Sequence, residues 1–275
     1  MSGFLDEMAR LSAQRVIEAV RQEPLASLER RARAAPPVAP LRWSGFGVIA
    51  ELKRRSPAAG VLGEPSEDWL KRVTEYARGG AVAVSVLTEP SRFDGSMEQL
   101  RQAALALAPL QVPAMRKDFL VDPYQVLEAR AAGAGGVLVI ARMLRHAQIS
   151  ELLDVAAEHG MFVLLEAFDA ADLKTARDIL ATRHGQGGRD NILVGINSRD
   201  LQTLKVVPER FAELAPQLPG GWPAVAESGV ASAADAKRMM LLGYRLALIG
   251  TALMTCDDPA RLLREILATM RTVQT

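Results

Sequence analysis

Eight short apolar runs, alternating with amphipathic stretches from Gly47 onward, constrain this chain more than any other feature. The runs are GVIAEL, AVAVSVL, VPAM, GVLVIA, MFVLLEAF, NILVGIN, WPAVAES and LALIG. They are apolar nearly throughout rather than at every second residue, as strands must be when a parallel sheet is covered on both faces. The intervening stretches, from WLKRVTEYARGG to DPARLLREILATM, read as helices, and several end in glycine, a common helix stop. One chain of 275 residues holding eight such units fits a closed (β/α)8 barrel, a TIM barrel of the α/β class. Periodicity alone leaves an open doubly wound sheet as the alternative. A Gly-x-Gly-x-x-Gly turn, the mark of a dinucleotide-binding sheet, does not follow the first run.

Ahead of the barrel, Phe4, Leu5, Met8, Leu11, Ile17 and Val20 recur at helical spacing, so an amphipathic helix that packs on the rest of the domain is expected. The following ERRARAAPPVAP reads as an extended connector with a solvated arginine cluster. Residues 1–45 are thus expected to be a helical extension and connector within the same domain as the barrel, residues 46–275. The first twenty residues carry acidic side chains and lack a long apolar stretch, which suits neither a secretory signal nor a membrane span. The expected location is the cytoplasm. A formal net charge of +1 gives no general attraction to nucleic acid or to an anionic membrane, so neither is expected as a partner. A monomer is expected, with weak self-association left open. The lone Cys256 has no internal disulfide partner, and His146, His159 and His184 lack metal-ligand spacing, so no metal or other cofactor is expected.

In a parallel barrel the C-terminal strand ends form the active-site face. Here they carry Glu51 and Lys53, Ser85 to Glu89, Arg116 to Asp118, Glu166, Asn197 and Arg199, Glu227 and Ser228, and Gly250 and Thr251. Charge inside a strand is costly unless paired, so charges on so many strands point to a shared site. Glu51 and Lys53 have the same parity and should face the same side. Together with Lys117 and Glu166 they make two ammonium groups and two carboxylates. Pairing would keep the lysines charged, whereas burial would lower their pKa values. The small-residue turns VAESGV and LIGTAL suit a phosphate, since glycine lets backbone N–H groups approach an anion closely.

The segments IAELKRRSP (49–57), SVLTEPSRFDGS (85–96), MRKDFLVDPYQVLEAR (115–130), LLEAF (164–168), GINSRDLQTL (195–204), VAESGV (225–230) and LIGTALM (248–254) resemble the indole-3-glycerol-phosphate synthase family in order and spacing. The similarity spans the barrel and the N-terminal helix, which by this resemblance is an extra helix at the barrel mouth. It implies a small phosphorylated substrate, 1-(2-carboxyphenylamino)-1-deoxyribulose 5-phosphate, which loses carbon dioxide and water to give indole-3-glycerol phosphate. By this resemblance Lys117 is the general acid for ring closure, and Lys53 pairs with the substrate carboxylate and is a further candidate donor during dehydration. Glu166 stabilises the cationic ring intermediate or accepts a proton, and Glu51 assists deprotonation. Asn197 and Glu227 orient the ribulose hydroxyls and the charged cluster. Ser56, Ser228, Gly229, Gly250 and Thr251 are expected around the phosphate, Arg199 at the binding site, and Pro57, Phe93, Phe119 and Leu201 along the anthranilate ring. Ala58, Phe168 and Thr251 depart from residues frequent in the family without removing a charged group. Phosphoribosylanthranilate isomerase, a related phosphate-binding barrel, needs a cysteine and an aspartate that this pattern does not supply. A non-catalytic binding paralogue is the remaining alternative, and it would have no use for so much buried charge.

Overall fold

The structure, a computed structural model, describes residues 3–56, 60–62, 68–183 and 191–273. The eight apolar runs become β1 (Gly47–Leu52), β2 (Ala83–Leu87), β3 (Ala114–Lys117), β4 (Gly136–Ile140), β5 (Phe162–Ala167), β6 (Asn191–Asn197), β7 (Ala224–Glu227) and β8 (Leu246–Ile249). All pair in parallel with their sequence neighbours, and β1 closes the ring against β8. The chain therefore forms a (β/α)8 barrel, not an open sheet.

Alternation along each strand divides the apolar residues between two cores. Inside the ring, Ile49, Ala83, Met115, Leu138, Leu164, Leu193, Val225 and Leu246 pack together. Outside it, Val48, Val84, Val137, Val163, Val194 and Ala247 meet the surrounding helices. Both faces are dry, which explains the near-continuous apolar runs. Every second residue of a strand points inward, odd-numbered on β1 and β3 and even-numbered on β5, so the inward register continues upward from Ile49 to Glu51, from Met115 to Lys117 and from Leu164 to Glu166.

The N-terminal region forms α1 (Phe4–Gln22) and α2 (Leu25–Ala34). The second helix corrects the expectation of a connector beginning at Glu29. Pro24 starts it, and Leu28 and Ala32, four residues apart, bury against Tyr124 and Leu127. The arginine cluster is partly neutralised within the chain: Arg31 bonds Glu23 at 2.6 Å and Arg33 reaches Glu158 at 3.4 Å. The connector starts six residues later, at Ala35, where Arg130 donates to the carbonyls of Ala35 and Pro36. Among the described residues, no helix is long and apolar enough to cross a membrane.

Three small elements were not expected. A two-residue hairpin pairs Arg55 with Val61 after β1, with Gly60 at positive φ, and the short helices Pro90–Phe93 and Thr251–Thr255 follow β2 and β8. Glu89 caps the first of these by accepting from the N–H groups of Ser91 and Arg92 at 2.9 and 2.7 Å. Its carboxylate thus has a local structural use at a helix start.

Candidate active site

The upward continuation of the inward register places a polar ring on the apolar barrel core. Lys53 Nζ lies 2.9 Å from Glu51 Oε1, and Lys117 Nζ lies 3.7 Å from Glu51 Oε2. Across the ring Asn197 Nδ2 donates to Glu166 Oε1 at 3.3 Å, while its Oδ1 accepts from the Arg199 N–H at 2.9 Å and from Ser228 Oγ at 3.0 Å. Asn197 therefore ties the loop after β6 to both β5 and β7. The shared parity of Glu51 and Lys53 is realised as a direct ion pair.

These groups border a cavity of about 570 Å³. That volume lies within the usual range for a small-molecule site. Its lining includes Glu51, Lys53, Phe93, Lys117, Phe119, Glu166, Asn197, Arg199, Leu201, Glu227, Ser228, Gly229, Gly250 and Thr251. Pro57 and Ala58 lie outside the described residues, and Ser56 is described by its backbone alone, as one end of the hairpin. Phe93 and Phe119 have ring centroids 6.1 Å apart, and Phe4 meets Phe119 edge to face at 5.7 Å. Phe4 and Leu5, which the sequence reading treated only as the apolar face of a helix, also line the cavity. Their spacing could indicate a buried face but not the site beneath it.

Burial disfavours the charged forms in the ring, so their partners decide the outcome. It works against the Glu51 carboxylate, but Lys53 and Lys117 outweigh it and hold the Glu51 pKa below its ordinary value. It works against the Lys117 ammonium as well, yet the carboxylates of Glu51 and Glu166 push that pKa up. The anticipated competition between burial and pairing is therefore won by pairing at Lys117, which enters the reaction cycle protonated. Glu227 moves in the opposite direction from Glu51: burial, then the neighbouring Glu166, raise its pKa well above the ordinary carboxyl range.

Not every charge at a strand end joins this ring. Arg116 has even parity and points away from the barrel interior, where it bonds Asp118 at 3.0 Å and Glu128 at 3.1 Å. Asp118 also receives the Arg15 guanidinium from α1 at 2.7 and 3.0 Å and the Thr88 hydroxyl at 2.8 Å. This network flanks Lys117 and fastens α1 over the mouth. Burial alone would raise the Asp118 pKa, but Arg116 and Arg15 overcome it and hold the carboxyl at about 2. A depressed native pKa contributes stability above the unfolded value and loses it as pH falls through the native value. Acid titration by circular dichroism should therefore show wild type losing roughly 2 kcal/mol from this group between about pH 4 and pH 2. Asp118→Asn should be less stable at pH 7 and should lack that increment. An unchanged acid limb in Asp118→Asn would contradict the network's contribution.

Gly250 has a local steric role of its own, whatever it does for a ligand. A Cβ there would stand 2.4 Å from Glu51 Oε1 and 3.2 Å from Lys53 Nζ, so the missing side chain makes room for the ion pair. At the neighbouring turn Ser228 and Gly229 have φ values of 66° and 81°, and a Cβ on Gly229 would meet Val206 Cγ1 at 2.7 Å. That glycine is required by both conformation and space. Phe168 is buried in the barrel-interior cluster, with the Arg142 guanidinium 4.7 Å above its ring, an arrangement that accommodates an aromatic side chain without a histidine's hydrogen bonds. His146 begins the helix His146–Glu158, His159 caps its end, and His184 lies outside the described residues. Among the described residues, no group of three or more His, Cys, Asp or Glu could hold a metal ion.

Comparison with known proteins adds evidence independent of this geometry. A family profile described as indole-3-glycerol phosphate synthase matches residues 5–266. The indole-3-glycerol phosphate synthase of Leifsonia xyli subsp. xyli is 41% identical over 268 residues, covering 95% of this chain and 94% of the relative. That of a Parafrankia species is 40% identical over 250 residues, covering 90% and 88%. Among solved structures, 3-hexulose-6-phosphate synthase from Salmonella typhimurium aligns with a TM-score of 0.63 at 16% identity, over 82% of this chain and 99% of that one. This last similarity concerns the barrel fold alone.

Proposed function

Because the chain belongs to the indole-3-glycerol-phosphate synthase family, we propose an assignment of the reaction's steps to the residues of its polar ring. The protein is a lyase of tryptophan biosynthesis. It converts 1-(2-carboxyphenylamino)-1-deoxyribulose 5-phosphate to indole-3-glycerol phosphate, with loss of carbon dioxide and water.

Lys117 donates a proton to the ribulose carbonyl oxygen as the aromatic carbon attacks the carbonyl carbon. The observation that carries this reading is the contiguous Lys53–Glu51–Lys117 ion network in a cavity with an aromatic wall. Lys53 holds the substrate carboxylate before it departs as carbon dioxide, and Glu51 keeps both ammonium groups in place. Dehydration then needs a donor for the leaving hydroxyl and an acceptor for a ring proton. Lys53 serves as the donor and Glu166 as the acceptor, with Glu51 assisting deprotonation. Asn197 orients Glu166 and a ribulose hydroxyl, and Glu227 completes the cluster. Phe93, Phe119 and Leu201 enclose the anthranilate ring, with Arg199 at the rim.

The phosphate occupies the side of the cavity bounded by Ser228, Gly229, Gly250 and Thr251, with Ser56 contributed from the segment after β1. In crystals grown with sulfate, an anion should lie against the backbone of Ser228–Gly229 and the Thr251 hydroxyl, and sulfate should inhibit competitively. An anion bound only at another face, with noncompetitive inhibition, would remove the phosphate assignment. The ring is assembled within one chain, so this reading needs no second copy for the chemistry and takes the enzyme as a monomer.

A further inference from the structure

Three carboxyl oxygens in the ring, Glu166 Oε2 and both oxygens of Glu227, are buried without a hydrogen-bond donor from another group. An unsatisfied buried polar atom is costly, and an unpaired buried carboxylate more so. Their placement identifies the missing partner. Glu166 on β5 is the cross-strand partner of Gly195 on β6, and Asn197, two residues further on, is the partner of Glu227 on β7. A Cβ on Gly195 would stand 2.0 Å from Glu227 Oε1. The Glu227 carboxyl thus lies over the space left by the glycine, leaning across β6 toward Glu166. Gly195 is an interior strand residue, a position where glycine weakens a sheet unless another group needs the space.

We propose that Gly195 is a positioning residue that seats Glu227 against Glu166, and that the two carboxyl groups hold one proton between them, with Glu227 the neutral donor and Glu166 the charged acceptor. One O–H then satisfies oxygens on both side chains. The surrounding charge agrees: Lys53 and Lys117 pair with Glu51, Arg199 acts on Glu51 from the rim and donates to the Leu204 carbonyl, and Glu227 has no cation of its own, with Lys117 alone opposing both it and Glu166. The raised proton affinity of Glu227, due first to burial and then to Glu166, points the same way. Two carboxyl groups in contact commonly share a proton for this reason. In the reaction the donated hydrogen bond aims Glu166 at the ring intermediate and leaves it as the charged member of the pair. This last step rests on the assignment of Glu166 as proton acceptor; the shared proton itself does not.

Infrared difference spectroscopy on the ligand-free enzyme with isotopically labelled glutamate tests the pair directly. Wild type at neutral pH should show the carbonyl stretch of a protonated, buried carboxyl, and Glu227→Gln should lack it. Gly195→Ala should displace Glu227, shift or abolish that band, and lower kcat about tenfold with a smaller change in KM, the effect of a misplaced group rather than a lost one. Shortening the displaced side chain in the double variant Gly195→Ala with Glu227→Asp should recover part of the kcat lost in Gly195→Ala. A wild-type spectrum without the protonated carboxyl overturns the shared proton. A Gly195→Ala enzyme with wild-type band and turnover overturns the positioning role, as does a double variant no more active than Gly195→Ala. If Gly195→Ala fails to fold, the wild-type and Glu227→Gln spectra still decide the shared proton, and Gly195→Ser in the Glu227→Asp background, folding where Gly195→Ser alone does not, decides the seat. Because the spectra need no turnover, a failed acid–base assignment and a failed carboxyl pair give different results.

Discussion

Lys117→Ala is expected to lower kcat by about a hundredfold to ten-thousandfold, the range for loss of a general acid, with a smaller change in KM. The reason lies in where the ammonium acts. Its proton reaches the carbonyl oxygen as the ring closes, so the interaction is stronger in the transition state than in the bound substrate. Lys117 is held protonated by the charges of Glu51 and Glu166, which keeps the acid loaded before substrate arrives. Lys53→Ala should differ in kind, raising KM as well as lowering kcat, because Lys53 also holds the substrate carboxylate in the ground state. Removing one member of a buried ion network can destabilise a fold by about 3 to 5 kcal/mol. Both variants therefore require a native circular dichroism spectrum and thermal transition before rates are compared. A folded Lys117→Ala enzyme with wild-type kcat would remove Lys117 from the acid role.

Glu166→Gln should lower kcat by about a hundredfold to a thousandfold, on the scale of a lost electrostatic or proton-accepting group. The amide preserves the shape of the side chain, and its oxygen can still accept from Asn197, as Glu166 Oε1 does at 3.3 Å. What disappears is the charge facing the cationic ring intermediate and the capacity to take a proton. Packing is held nearly constant, so a large loss identifies electrostatics or proton transfer as its cause. Single-turnover kinetics checks the step: ring closure and decarboxylation should persist, with the decarboxylated intermediate accumulating ahead of dehydration. If product forms at the wild-type rate, Glu166 is not the acceptor.

The barrel was legible because each strand lies between two dry surfaces, which forces apolar residues onto both faces and leaves runs that helical periodicity cannot produce. The ring was legible for a related reason: Glu51, Lys117, Glu166 and Glu227 interrupt those runs where nothing but a site offsets the cost of burying charge. Parity separates the inward residues from their neighbours, and applying it to Arg116 and Asp118 as well as to Glu51 and Lys53 would have assigned the former to the supporting network. The helix Leu25–Ala34 was obscured because most of its surface is polar, with Leu28 and Ala32 its only fully buried apolar residues. The parts played by Gly195 and Gly250 were not readable at all. Each glycine accommodates a carboxyl group carried by an adjacent strand, and the stagger between strands in a closed barrel is set by the pairing of the whole ring, not by either strand's own sequence.

The most direct test of the account is to add 1-(2-carboxyphenylamino)-1-deoxyribulose 5-phosphate to the purified protein while following indole fluorescence and carbon dioxide release together. The account predicts that both appear, with one carbon dioxide released for each indole-3-glycerol phosphate formed. Binding of the substrate without either product would contradict it.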